Sequence, residues 1–225
     1  HTGFTMTNTA GQRAVVGPQI AQATLSPLQM DALKEVGNIG AGNAATALGQ
    51  ALNKTVNINV PEVKLITIEQ FNDDSLLKEP QDVSIAVCSR IPETIKGGIM
   101  VLFSKKDSLL LSDLLTKKTP GANGLLTLVE LSALSETSYI LSCSYLDSVG
   151  LMLNQRLLIP SSPQTAIDKT GGLNKALVKR FLGEEIKQVM SIENIMTVDG
   201  IEINIFITLL LEEESIQKIL EMLGL

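Results

Sequence analysis

The stretch that decides the fold is EVGNIGAGNAA, residues 35–45, because it admits two incompatible interpretations. Gly40, Gly42 and Ala45 match the GxGxxA pattern of loops that hold the pyrophosphate of a dinucleotide. That pattern works where a strand comes immediately before the glycines and a helix immediately after them. The alternative is a helix that carries the glycines in its interior, each costing roughly 1 kcal/mol relative to alanine.

The residues before the glycines favour the helix. Ser26 is a suitable N-cap, Pro27 suits the first helical position, and Gln29 completes a capping box. Small and apolar residues then recur at helical spacing until about Leu52, where Asn53 can end the helix. The sequence therefore predicts one helix from Pro27 to Leu52, and such a helix would exclude the dinucleotide loop.

One face of this predicted helix is polar. At about 3.6 residues per turn, Asp31, Glu35, Asn38 and Gly42 share a stripe, while Ile39 turns toward another face. A carboxylate and an amide thus point the same way, and a glycine beside them leaves room for a partner. The spacing alone is also compatible with an ordinary solvated face, which is the commonest role of a polar helical stripe.

The rest of the chain runs through one order of elements twice. After the first helix, TVNINV and EVKLITIEQF predict extended structure interrupted by Pro61, DVSIAVCSRI and TIKGGIMVLF predict two strands, and SKKDSLLLSDLLTKK predicts a helix. A second long helix, from about Leu125 to Leu153, opens the same order again. It is followed by NQRLLIPSSP as a strand, LNKALVKRFLG as a helix, EEIKQVMSI and IEINIFITLL as strands, and EESIQKILEML as a closing helix.

This internal repeat of roughly 100 residues predicts the fold class. Each half is too short to bury both faces of its strands, so we expect the halves to join. The prediction is an α/β fold: an internally duplicated, pseudo-twofold single domain with long helices packed on a β-sheet. We expect this domain over residues 25–225, its repeats over about 25–121 and 122–225, and a flexible leader over residues 1–24.

Composition limits the function classes. The chain has 225 residues with 44% apolar content, which is ample for a packed core. Its net charge of −6, without a long basic run, argues against a nucleic-acid partner. No apolar run reaches the ~20 residues of a membrane span, so we expect no membrane insertion.

The cysteines and the histidine narrow the chemistry further. Cys88 and Cys143 lie far apart without CxxC spacing, which predicts a reduced, cytoplasmic setting with buried thiols. The single histidine is His1, so Ser-His-Asp catalysis and histidine-rich metal sites are not expected. We therefore expect no metal site in this chain.

The segment DALKEVGNIGAGNAATALGQALNKTVNINVPEV resembles the signature of the CheC, CheX and FliY family of chemotaxis phosphatases. In that signature an Asp or Ser is followed by Glu after three residues, by Asn after two more, and by Pro after a further twenty-two. Asp31, Glu35, Asn38 and Pro61 satisfy every position. The repeated halves extend the resemblance over residues 25–225. Their length favours the CheC branch over FliY-like proteins, which add a C-terminal flagellar switch domain.

The resemblance implies an enzyme, a phosphatase that hydrolyses the aspartyl phosphate of the response regulator CheY. Asn38 would orient the attacking water and Glu35 would pair with the lysine of the receiver domain, while Gly42 and neighbouring small residues would permit close docking. The resemblance implies no cofactor of the chain's own, because Mg²⁺ is held by the receiver. It also implies CheD, the receptor-modifying deamidase that many members bind, as a candidate partner.

The second half departs from the signature. Ser132 and Glu136 occupy the equivalent positions, but Tyr139 stands where the asparagine would be, and Ser138 replaces the preceding glycine. Ser162 holds the position of the proline. A tyrosine cannot offer the paired donor and acceptor of an amide. We therefore expect one competent site, on the first helix, and a degenerate second site.

An alternative of a different class is a non-catalytic adaptor that binds CheD or the flagellar switch through the altered second half. The intact pair Glu35 and Asn38 favours the enzyme, because an adaptor would not need these residues at that spacing.

Overall fold

The computed structural model describes residues 26–68, 84–91, 95–121, 124–154, 158–168, 188–222 and 224. The expected leader and the helix expected at LNKALVKRFLG lie outside the described residues. In chain order the elements are α1 (Pro27–Leu52), β1 (Val56–Thr67), β2 (Ser84–Ile91), β3 (Gly97–Phe103), α2 (Lys105–Leu115), α3 (Leu128–Met152), β4 (Gln164–Asp168), β5 (Gln188–Val198), β6 (Ile201–Leu211) and α4 (Glu213–Met222).

The six strands of the described residues form one sheet in the order β1-β5-β6-β3-β2-β4, with every neighbouring pair antiparallel. Exchanging β1, β2 and β3 with β4, β5 and β6 leaves this order unchanged except for its direction. The strand order is thus the one that a pseudo-twofold arrangement of two similar halves requires. The expected α/β domain, with helices packed on a β-sheet, is confirmed.

The long helices lie side by side on one face of the sheet, and a glycine permits their contact. A Cβ added at Gly40 would lie 2.6 Å from Cδ1 of Tyr145, so α1 can approach α3 this closely only without a side chain there. The Tyr145 hydroxyl donates to Oδ1 of Asn194 on β5, and the Asn43 amide donates to Oγ of Ser148 over 3.1 Å. Tyr145 therefore takes part both in the contact of α3 with α1 and in the contact of α3 with the sheet.

Two apolar layers hold the sheet. The larger cluster joins the helices to the strands and includes Leu48, Phe103 and Leu141. A smaller cluster on the opposite face of the sheet contains Cys88 and Met100. Burial raises the pKa of the Cys88 thiol to about 12, which keeps it protonated and unreactive at neutral pH.

Two predicted strand boundaries differ from the structure for reasons of backbone pairing. Across Pro61 the chain stays one strand, with the register against β5 shifting between Asn59 and Glu62, because an edge strand tolerates a missing donor at a bulge. The described part of NQRLLIPSSP is not a strand, and β4 begins only at Gln164. There Ser161 bonds the backbone of Arg90 through its own N–H and hydroxyl, both over 2.9 Å.

The hairpin between β5 and β6 extends further than the sequence predicted. β5 continues past Ile192 to Val198, and Asp199 and Gly200 turn the chain with φ angles of 49° and 84°. Two successive positive φ angles are typical of a type I′ turn, for which an Asp-Gly pair is well suited. The Asp199 carboxylate also accepts from the N–H of Thr55 over 3.0 Å, which attaches this turn to the residue before β1.

Candidate functional site

The candidate site lies on α1, whose first turn is fixed by the predicted capping box. The N–H of Ser26 donates to Oε1 of Gln29 over 2.8 Å, and the N–H of Gln29 donates to Oγ of Ser26 over 3.2 Å. From Pro27 the helix runs without interruption to Leu52. The dinucleotide interpretation of residues 40–45 is therefore wrong, because the glycines lie inside a helix and the residues immediately before them are helical as well.

The four residues of the polar stripe all lie on the exposed side of α1. We call Asp31, Glu35, Asn38 and Gly42 the α1 outer face. The opposite side of the helix is buried and carries Leu33, Val36, Gly37, Gly40, Ala41, Ala44 and Leu48. The predicted sharing of one face is thus confirmed for the four stripe residues.

Glu35 and Asn38 project one turn apart, roughly 4.5 Å along the helix axis. Within the part of the chain that the structure describes, neither side chain makes a hydrogen bond or an ion pair. A carboxylate and an amide that are exposed and unengaged are available to a partner. This arrangement can place an ion-pairing group and a water-orienting group on the same approaching molecule.

Gly37, Gly40 and Gly42 of α1 have different surroundings. This corrects the expectation that Gly42 and the neighbouring small residues together permit close docking of a partner. A Cβ at Gly42 would meet nothing within 4 Å, so this position is open to solvent. A Cβ at Gly37 would lie 3.6 Å from the side chains of Val60, Val63 and Ile192, and Gly40 faces Tyr145. Of the three, Gly42 alone leaves space beside the polar pair, whereas Gly37 and Gly40 serve internal packing.

Pro61 lies on β1 rather than on the outer face of the helix. It sits at the register shift between Asn59 and Glu62, and its neighbours Val60 and Val63 pack beneath Gly37. Gly37 directly precedes Asn38 in the helix. The structure therefore places the bulge that contains Pro61 under the turn that carries the amide, as a support for the helix.

The second half presents an altered face on α3, which we call the α3 outer face: Ser132, Glu136 and Tyr139. Ser132 and Glu136 are exposed, like their counterparts on α1. Tyr139 is half-buried, and its hydroxyl donates to the carbonyl of Pro160 over a long 3.3 Å. Burial raises the pKa of Tyr139. The Tyr139 ring is therefore held against the chain's own backbone, whereas the Asn38 side chain is exposed.

Cys143 corrects the expectation of two buried thiols. It lies one turn after Tyr139, at the position that Gly42 holds on α1, and its side chain is half-buried. Partial burial raises its thiol pKa, and a hydrogen bond with Tyr139 opposes that shift. The second face thus has a side chain where the first has open space.

Sequence reasoning missed two apolar residues on the exposed side of α1. Leu28 is 65% exposed and Ile39 is 38% exposed, although Ile39 was expected to face elsewhere. Their spacing from Glu35 could have revealed them, since they lie seven residues before it and four residues after it. At about 100° per residue these positions lie within about 40° of Glu35 around the helix.

Neither a metal nor a membrane site emerges from the described residues. They contain no group of three or more His, Cys, Asp or Glu side chains placed to hold a metal ion. Among the described helices, none combines the length and apolar character that crossing a bilayer requires.

Comparison with known families matches residues 28–65, which span α1 and most of β1, to the CheC-like family. The chain is 32% identical to the CheY-P phosphatase CheC of Bacillus subtilis (strain 168) over 152 residues, which cover 64% of this chain and 69% of that protein. It is 28% identical to the flagellar motor switch phosphatase FliY of the same strain over 155 residues, or 68% of this chain. That match spans 40% of the length of FliY.

The fold has a solved counterpart in Thermotoga maritima FliY. The two structures superpose with a TM-score of 0.73 at 22% identity, covering 89% of this chain and 98% of the other. An identity this low shows a shared fold, whereas the relationship in sequence rests on the Bacillus subtilis proteins. Because residues 28–65 match the CheC-like family and the match to CheC covers 69% of that protein at 32% identity, this chain belongs to the CheC-like family.

Proposed function

We propose that this chain is a phosphatase that hydrolyses the aspartyl phosphate of CheY. The observation that carries the proposal is the pair Glu35 and Asn38, exposed and unengaged on one side of α1 with the open position Gly42 beside them. A relative named as a CheY-P phosphatase, CheC of Bacillus subtilis, supports the substrate. We place the reaction in the cytoplasm, as the reduced free cysteines suggest.

In the proposed reaction, Asn38 orients the water that attacks the phosphorus. The oxygen of the water forms a bond to phosphorus in line with the bond to the aspartyl oxygen, which breaks to leave a carboxylate and inorganic phosphate. The water's protons pass to phosphate and solvent. An amide suits this task because its oxygen accepts and its NH₂ donates without a change of protonation state. Holding the water in line lowers the barrier by positioning.

Glu35 supplies the register of docking. Its carboxylate would pair with the lysine of the receiver domain, a charge-assisted contact that places Asn38 one helical turn farther along. The Mg²⁺ in this proposal is held by the receiver, so the chain contributes no metal ligand and no cofactor of its own. The division of roles explains why the α1 outer face needs neither histidine nor nucleophile.

Decay of acyl-phosphorylated CheY tests the proposal. The parent should accelerate release of phosphate, and both Asn38→Ala and Glu35→Ala should slow it, the former by about 100-fold at equal enzyme concentration because the water loses its position. Gln50→Ala is the matched control, because it removes an exposed amide from the same helix roughly 18 Å farther along the axis. A parent without activity, or an Asn38→Ala variant as fast as the parent, contradicts the proposal.

The adaptor alternative keeps one supporting observation, the exposed apolar residues at the start of the second long helix. Leu125, Leu128 and Val129 are 71–85% exposed beside the α3 outer face. An adaptor for the flagellar switch or for CheD would use this surface without turnover. The adaptor is favoured over the phosphatase if the parent releases no phosphate from CheY and a substitution of Leu128 abolishes binding of such a partner.

A further inference from the structure

A row of exposed side chains along α1 combines apolar residues with the carboxylate of the candidate site. Leu28, Glu35 and Ile39 lie almost in line along the helix surface, because seven residues and eleven residues are close to whole numbers of turns. Leu28 lies roughly 10 Å before Glu35 along the axis, and Ile39 roughly 6 Å after it. We call Leu28 and Ile39 the apolar row. It brackets the one carboxylate that the proposed function assigns to an ion pair.

The exposure of the apolar row sets it apart from the packing of the molecule. The structure buries most of its large apolar side chains in the two clusters of the sheet, whereas Leu28 is 65% exposed and Ile39 is 38% exposed. On α1 they are the two large apolar residues that the described structure leaves this accessible. Neither belongs to the two apolar clusters or to the partly buried side chains packed against them.

The same pattern recurs in the second half. Val129 stands seven residues before Glu136, and Ile140 four residues after it, as Leu28 and Ile39 stand around Glu35. Both positions are again apolar, although a tyrosine stands in place of the asparagine between them. Val129 is 71% exposed, whereas Ile140 is half-buried and packs against the larger apolar cluster, so the row is exposed at both positions on α1 and at one of them on α3.

Building on the proposed function, we propose that Leu28 and Ile39 dock on the receiver domain of phosphorylated CheY and set the affinity of the chain for it. They would cover apolar surface around the receiver's lysine and exclude water from its contact with Glu35. A ring of apolar contacts that keeps water away strengthens an ion pair by lowering the local dielectric constant. The apolar row is therefore a determinant of substrate affinity, whereas Asn38 determines the rate of the chemical step.

Steady-state kinetics with phosphorylated CheY separate these roles. Leu28→Ala should raise KM about tenfold, and Ile39→Ala by about threefold since less of it is exposed, a range typical of central interface residues. Both should leave kcat within about twofold of the parent, because Glu35 and Asn38 remain. The KM of Leu28→Ala should also rise more steeply with salt concentration, since the ion pair between Glu35 and the receiver's lysine is then open to screening.

Two further variants guard against a trivial outcome. Leu28→Asp removes the apolar surface while placing an acidic residue in the first turn of α1, where it favours the helix, so a loss of affinity cannot be ascribed to unfolding. Leu151→Ala is the matched control, because Leu151 is 74% exposed near the end of α3 and lies outside the apolar row. Its KM should equal that of the parent.

Binding of CheY activated with beryllofluoride gives a readout that is independent of turnover. Titration calorimetry should show an affinity about tenfold lower for Leu28→Ala than for the parent. If Leu28→Ala and Ile39→Ala bind and turn over like the parent, or if Leu151→Ala loses as much affinity, the inference is overturned. A parent that binds activated CheY through Leu28 but releases no phosphate would overturn the proposed hydrolysis and leave the docking row standing.

Discussion

Gly40 and Gly42 stand two residues apart on α1 and face opposite environments. A Cβ at Gly40 would lie 2.6 Å from one ring atom of Tyr145 and 3.0 Å from two others, whereas a Cβ at Gly42 would meet nothing within 4 Å. The pattern that resembled a phosphate-binding loop therefore divides into a helix-packing position and an exposed one. At the scale of single residues, local sequence could not distinguish the two, because the contact with Tyr145 joins positions far apart in the chain.

Alanine substitution should separate these two glycines by the sign of its effect on stability. Gly40→Ala forces Cβ into the Tyr145 ring and should destabilise the fold by about 1–3 kcal/mol, as overpacked core sites do. Gly42→Ala gains helix propensity without a contact and should stabilise it by up to about 1 kcal/mol. Chemical denaturation of both variants beside the parent measures the difference. A Gly40→Ala variant as stable as Gly42→Ala would mean that α3 can move away without cost.

The elements are joined by caps as well as by the core, as the start of α3 shows. Oε2 of Glu130 accepts from the N–H of Thr127 over 2.7 Å and from its hydroxyl over 2.8 Å, and Oε1 pairs with Lys118 over 2.7 Å. The Glu130 side chain is buried. The hydrogen bond from Lys118, followed by those from Thr127, lowers the pKa of this carboxyl to about 2. One side chain thus caps α3 and connects it to the segment after α2.

This cap predicts a specific loss of stability in acid. Since the folded pKa is below that of the unfolded chain, ordinarily about 4.3, Glu130 contributes stability above that value. The contribution falls as the pH drops from about 5 toward 2, as the unfolded chain takes up the proton first. Glu130→Gln should therefore lower stability at pH 7 and flatten its decline between pH 5 and pH 3, as measured by urea midpoints.

Glu136→Gln serves as the control for that measurement, because it removes an exposed carboxylate from the same helix without touching the cap. It should keep the slope of the parent in acid. Equal slopes for the parent and Glu130→Gln would show that the cap does not govern the acid response.

Elements whose signals are local were predictable from the sequence, and those decided by distant partners were not. The bounds of α1 follow from Ser26 and Gln29 at one end and Asn53 at the other, all within a turn of the helix. The start of β4 depends instead on its pairing with β2, where Ala86 opposes Ala166. The apolar run before Gln164 resembled a strand in sequence, but the described residues 158–163 bond the Arg90 backbone through Ser161 without forming a strand.

The candidate site was predictable to the same extent. The helical period alone brought Glu35 and Asn38 onto one face, because that relation needs nothing beyond the helix itself. The exposure of Ile39 depends on how α1 is rotated against the sheet, which the packing of Gly37 and Gly40 decides. That rotation is a property of tertiary contacts, so the apolar row became visible only in the structure.

At the scale of the whole molecule, a symmetric scaffold carries two unlike faces. The strand order is the same from either edge of the sheet when the halves are exchanged, and each half contributes one long helix with a capping box. The outer faces differ where chemistry is proposed: Asn38 is exposed, whereas Tyr139 is half-buried against Pro160. Symmetry of the backbone therefore does not imply two active sites, and turnover should depend on one half.

Substitution in the second half tests this asymmetry. Tyr139→Ala removes a ring that has no amide to orient water, so phosphate release from CheY should stay within about twofold of the parent. In an Asn38→Ala background, adding Tyr139→Ala should change nothing further, because no second site supplies the residual rate. The half-burial of Tyr139 makes a thermal melt of each variant necessary beside the kinetics. A tenfold loss in a Tyr139→Ala variant that melts like the parent would show that the α3 outer face takes part in the reaction.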